Sequence, residues 1–187
     1  MNKYEPSRWN KNKYIRESHN CYSYFLNKID KSVAKHCKKT YKKKRRCNKP
    51  QPGFYHGIAE KTRKNYNCKN MIKRIKLDNP SIIYKGKKNN FNCPKNHYKG
   101  ALVYVTKKNK HCNYHFYRQD KNKLWSHKDG NQPATNLDAK DKLIKDPKYA
   151  SQKYKNCNYD KQCGFFCIKD YKDVKNRLNM SHINKKK

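Results

Sequence analysis

A formal charge of +36, from 49 Lys and Arg against 13 Asp and Glu in 187 residues, constrains this chain more than any motif. Compaction crowds those charges, so self-repulsion opposes folding unless counter-charge arrives from outside. The chain must therefore fold around few apolar groups and expects a polyanionic partner: nucleic acid, an anionic membrane surface or an acidic polymer. Hydrophobic residues amount to 34%, and 16 Tyr form a large part of them. A tyrosine buries its ring while its hydroxyl finds a hydrogen-bond partner, so a modest core for one domain is within reach. Aromatic residues at 13% argue against full disorder.

Codon usage in an AT-rich genome accounts for part of the Lys excess, but not for the missing acids. No acid lies between Asp30 and Glu60, or between Asp78 and Asp120. The longest basic run, Lys42-Lys43-Lys44-Arg45-Arg46, follows Lys38 and Lys39 closely. Lys acts as a mobile point charge, whereas Arg reads guanine edges and phosphates through a planar fork. With only eight Arg in the chain, the balance favours phosphate neutralisation over base readout. Lys38, Lys39, Lys42, Lys43, Lys44, Arg45 and Arg46 are accordingly the candidate nucleic-acid contacts, to DNA or RNA, with no sequence-reading module in view.

No apolar run approaches a membrane span, and the first residues lack the apolar segment of a secretory signal. Nine cysteines, an odd number, leave at least one thiol whichever others pair. Cys37 and Cys47 bracket the basic cluster, a loop that a disulfide could close. Apolar residues at Tyr22, Phe25, Leu26, Ile29 and Val33 predict one helix from about Asn20 to Lys35, with Ser18 or Asn20 as its cap. Met71, Ile72 and Ile75 predict a second helix ending at Asp78. Ala101–Val105, Tyr114–Arg118 and Leu124–His127 predict an antiparallel meander, Asn131–Pro147 a long ordered loop, and Gly164–Ile168 a last strand. The reading is an α+β fold: an N-terminal helix packed on a small antiparallel sheet, loop-rich and disulfide-stabilised. A basic arm (1–17) precedes a single domain (18–170), and a basic tail (171–187) follows it.

Cys21 falls in the first turn of the predicted helix, where free backbone N–H groups favour a thiolate. A thiol nucleophile needs a base, and His115 on a central strand is the best candidate. His127 on the neighbouring strand is the first choice to orient that imidazole, with Asp120 or Gln119 behind it. The competing reading of Cys21 is a structural or disulfide-paired cysteine. Cys157, Cys163 and Cys167, with His111 and Cys112, lack the paired close spacing of a structural zinc site, so neither metal nor cofactor is expected.

Asn20-Cys21-Tyr22-Ser23-Tyr24 resembles the nucleophile helix of papain-like cell-wall amidases and endopeptidases. Asn-Cys-Tyr (20–22), Pro-Gln-Pro-Gly (50–53) and Tyr-His-Phe-Tyr-Arg-Gln-Asp (114–120) also resemble an uncharacterised group of proteins from bacteria and large DNA viruses of amoebae (giant viruses). Trp-Ser-His-Lys (125–128), Thr-Asn-Leu-Asp (135–138) and Cys-Gly-Phe-Phe-Cys (163–167) continue that resemblance. It implies a papain-like scaffold and a virion protein, located in the virion interior or in the viral factory of the host cytoplasm. Acidic virion proteins are then further candidate partners. Two functions follow as expectations: a sequence-independent polyanion-associating protein, and a thiol hydrolase with Cys21 as nucleophile and His115 as base. The thiol hydrolases of that resemblance carry a recognisable oxyanion donor near the cysteine, and none is evident in this sequence.

Overall fold

The computed structural model describes residues 3–42, 47–58, 66–107, 112–155 and 157–170. Five helices are described: α1 (Pro6–Asn10), α2 (Lys13–Ser18), α3 (Cys21–Phe25), α4 (Lys31–Lys42) and α5 (Cys68–Asp78). Strands β1 (Ile83–Gly86), β2 (His97–Tyr104), β3 (Tyr114–Gln119), β4 (Trp125–Lys128), β5 (Ala134–Thr135) and β8 (Lys161–Lys169) form one antiparallel sheet. Its order is β1-β8-β2-β3-β4-β5. A separate two-stranded ribbon pairs β6 (Lys153–Tyr154) with β7 (Cys157–Asn158). The architecture is α+β, and the expected meander is β2-β3-β4. The last strand, β8, enters between β1 and β2 rather than extending the meander.

The helix expected from Asn20 to Lys35 is two helices. Leu26 ends α3, Asn27 turns left-handed (φ 50°), and Asp30 starts α4 by accepting from the Ser32 and Val33 amides at 2.9 and 3.3 Å. Asn tolerates the left-handed region and Asp caps well, so two polar residues cut a stripe that apolar spacing alone reads as continuous. Most of the stretch 1–17 read as a basic arm is helical: α1, and α2, which runs on to Ser18. Pro6 suits the first turn of α1, Asn12 caps α2, and Trp9 is fully buried against Tyr24. The tail 171–187 lies outside the described residues.

Alternation along the strands gives the sheet two apolar faces. Leu102, Phe116, Phe166 and Ile168 join Tyr22 and Phe25 of α3 on one face. Ala101, Val103, Tyr117, Trp125 and Phe165 form a second cluster on the other. The Phe25 ring lies 4.7 Å from that of Phe116, and Tyr24 shares a 2.8 Å hydrogen bond with Ser126 of β4. Gly100 lets this happen: a Cβ there would stand 2.3 Å from the Phe25 ring. Four disulfides lock the frame: Cys37–Cys47, Cys68–Cys163, Cys93–Cys167 and Cys112–Cys157. Two of them anchor β8, one to α5 and one to the segment before β2.

Candidate active site

Eight of the nine cysteines are paired, and the ninth is Cys21. It opens α3, whose cap is Asn20. The Asn20 carbonyl oxygen accepts from the Tyr22 and Ser23 amides at 3.1 and 3.3 Å, while its amide donates to Pro50 O at 2.8 Å. The Pro-Gln-Pro-Gly turn is thereby strapped onto the cysteine helix. Asp78 completes the strap by accepting from the Tyr22 hydroxyl (2.6 Å), the Gly53 amide (2.7 Å) and the His56 amide (2.8 Å). The Gln51 side chain is fixed as well, receiving the hydroxyls of Tyr66 and Tyr114.

Strands β3 and β4 pair only from Tyr117↔His127 to Gln119↔Trp125, and Lys128 already pairs with Ala134 of β5. The Phe116 amide, one residue after His115, consequently lies against the Cys21 sulfur, as does that of Tyr22. Both favour a thiolate, as does the charge of Lys128. Burial outweighs them, with Asp129 adding to it, and the thiol is pushed up to about 12. The lowered pKa expected from a helix N-terminus is therefore not what the fold delivers. A five-residue helix sums few peptide dipoles, and a thiol only 6% exposed is held in its neutral form.

His115 and His127 meet on the opposite face of the sheet. His115 Nε2 lies 2.8 Å from His127 Nδ1, and His127 Nε2 lies 2.9 Å from Leu137 O. A carbonyl only accepts, so His127 carries its proton on Nε2 and its Nδ1 must accept. His115 then donates from Nε2, and its Nδ1 is left as an unprotonated base. That nitrogen is buried and has no hydrogen-bond partner. Tyr159 stacks on the His115 ring (5.2 Å between centroids, 24° between planes), and its hydroxyl is close enough to Cys21 for their charges to interact. Burial, then His127, holds the imidazole of His115 well below its ordinary range, so the resting pair is neutral thiol and neutral imidazole.

Of the other sequence candidates, Asp120 lies elsewhere. It pairs with Arg118 (Nε–Oδ1 3.5 Å), whose guanidinium covers the Tyr24 ring and donates to Tyr24 O and Asn27 Oδ1. Asp120 thus secures the far end of α3 and does not orient His115. Gln119 donates to Lys123 O in a turn. The acceptor that closes the chain, Leu137 O, escaped the sequence reading, although the Thr-Asn-Leu-Asp stretch builds it. The Thr135 hydroxyl accepts from the Leu137 amide, and Asp138 collects the amides of Lys140, Lys142 and Ser151. Lys128, Asp129 and Tyr159 escaped it too, for their roles are tertiary.

A cavity of about 360 Å³ adjoins the Pro50 strap, lined by Val33, His36, Lys49, Pro50 and Phe54 among others. Lys38, Lys39 and Lys42 are exposed on α4; Lys43, Lys44, Arg45 and Arg46 lie outside the described residues. Among the described residues no group of three His, Cys, Asp or Glu converges as a metal site, and no helix is long and apolar enough to cross a membrane. Comparison with known proteins gives no match: no family model fits the chain, and no curated protein or solved structure is similar to it.

Proposed function

We propose that the chain is a thiol hydrolase of papain-like design that cleaves an amide or peptide bond, with Cys21 as nucleophile, His115 as general base and His127 as the residue that orients it. One observation carries this reading: the hydrogen-bond chain from Leu137 O fixes both tautomers and leaves an unprotonated, unpartnered Nδ1 on His115, in the strand whose Phe116 amide lies against the unpaired cysteine. The thiol proton passes to His115 Nδ1 as sulfur adds to the substrate carbonyl. The imidazolium so formed keeps its Nε2–H on His127 and gives its new proton to the departing amine. Water then attacks the thioester with His115 again as base, releasing the acid and the thiol. Hydrogen bonds of this kind often close only when substrate binds.

The test exploits the single thiol. Iodoacetamide labels Cys21 in the folded protein, and His115→Gln slows that labelling by about a hundredfold or more, the usual contribution of a general base. Equal labelling in wild type and His115→Gln would sink the assignment. Turnover of a peptide-amide library is expected from the wild type and not from Cys21→Ala.

The charge supports a second, compatible reading: association with a polyanion, nucleic acid through its phosphates, as in a virion component. The fold sharpens this charge. Among the described residues Asp30, Asp78, Asp120 and Asp170 are buried, whereas Arg118 and Lys128 are the only buried Lys or Arg. The surface is thereby left more basic than composition alone dictates.

A further inference from the structure

Lys128 is fully buried, yet no carboxylate hydrogen-bonds it. Its ammonium donates to three backbone carbonyls: His19 O at 2.6 Å, Arg16 O at 2.7 Å and Gly130 O at 2.7 Å. Three acceptors match the three donors of an ammonium group, whereas a neutral amine has two donors and would turn its lone pair on a carbonyl. A dry cation that no acid neutralises is expensive. Its location supplies the reason. Lys128 directly follows His127, so alternation sends the two side chains to opposite faces of the sheet. His127 holds the base. Lys128 holds the end of α2 and the carbonyl of His19, two residues before the nucleophile, and its charge reaches Cys21.

We propose that Lys128 is the positioning residue of the nucleophile, and that its ammonium is the fixed positive charge against which the Cys21 thiolate forms. This rests on the thiol-hydrolase reading and deepens it. The proton leaving Cys21 goes to His115, and Lys128 acts in its ammonium form. Burial, then Lys49, lowers the Lys128 amine to about 7, whereas Cys21, Glu17 and Asp129 attract the ammonium; neighbouring His19 is held neutral. Ionisation of Cys21 turns an unneutralised buried cation into an ion pair, so the thiolate recovers part of what burial denies it.

The test uses the full chain with its disulfides intact. Iodoacetamide labelling of Cys21 is followed between about pH 6 and about pH 10 in wild type, Lys128→Met and His115→Gln. In Lys128→Met the profile is expected to move to higher pH, with labelling near neutrality about tenfold slower, one pKa unit. An unchanged profile in a folded Lys128→Met protein overturns the proposal, even where thermal stability drops, because a merely structural lysine lowers stability without moving a thiol's titration. If Lys128→Met does not fold, the nitrogen NMR signal of Lys128 in the wild type decides: an ammonium signal at about pH 6 is expected, whatever its course above about 7, and a neutral amine already at about pH 6 overturns the proposal. A profile moved by Lys128→Met but untouched by His115→Gln would refute the hydrolase and leave the lysine's role standing.

Discussion

His19, His115 and His127 are buried, and burial holds all three below the ordinary imidazole value of 6.5. For His19 the value falls to about 4, and its bonds explain what is lost on protonation. Nδ1 lies 3.0 Å from Ile15 O, and Nε2 accepts from the Asp30 amide at 2.9 Å, so only the neutral ring serves both the end of α2 and the start of α4. The unfolded chain binds protons near pH 6.5 that the fold refuses, so stability falls as pH drops from that point towards 4. His19 alone contributes about 3 kcal/mol of this loss, and His115 and His127 act in the same direction. Urea unfolding near pH 7 and near pH 4.5 checks it: a midpoint that does not move between the two would refute the neutral histidines.

At the scale of elements, the disulfides separate by the loops they close. Cys68–Cys163 spans 95 residues and Cys37–Cys47 spans 10. By chain entropy the first is worth about 4.5 kcal/mol and the second about 2.7 kcal/mol. Replacing both cysteines of the long bridge by Ala is therefore expected to cost about 2 kcal/mol more than doing so at the short one; equal urea midpoints for the two double variants would contradict this. The short bridge was legible in the sequence because its cysteines flank one basic run. The two that anchor β8 were not, since they join residues that only the insertion of β8 brings together. The same division runs through the rest of the fold. Strands β2, β3, β4 and β8 announce themselves as apolar runs, and α5 as a periodic stripe. Helices α1 and α2 are too short to show a period, and β1 has no apolar run. The site divides likewise: Cys21, His115 and His127 follow from their places on a helix start and two neighbouring strands. Asp120 follows from sequence distance alone, but it lies just past the end of β3, at the opposite end of α3, where Arg118 claims it.

For the whole molecule, the basic surface and the candidate site make separable demands. The cations nearest Cys21 and α3, Lys128 and Arg118, are buried and occupied with backbone carbonyls, so they add little to an external field. The basic surface rests instead on exposed lysines such as Lys38, Lys39 and Lys42, with four acids withdrawn into the interior. Polyanion binding should then survive loss of the nucleophile. Cys21→Ala is expected to bind two duplexes of unrelated sequence as tightly as wild type does. For both proteins the logarithm of affinity should fall linearly with the logarithm of salt, by about 0.9 for each phosphate neutralised. Lys38→Gln, Lys39→Gln and Lys42→Gln together should weaken binding to both duplexes alike and flatten that slope by up to about 3. Fluorescence anisotropy across a salt series measures all of this. Affinity that ignores salt, or that separates the two duplexes, would show recognition by something other than the surface lysines, because point charges on flexible stems read phosphates and not bases.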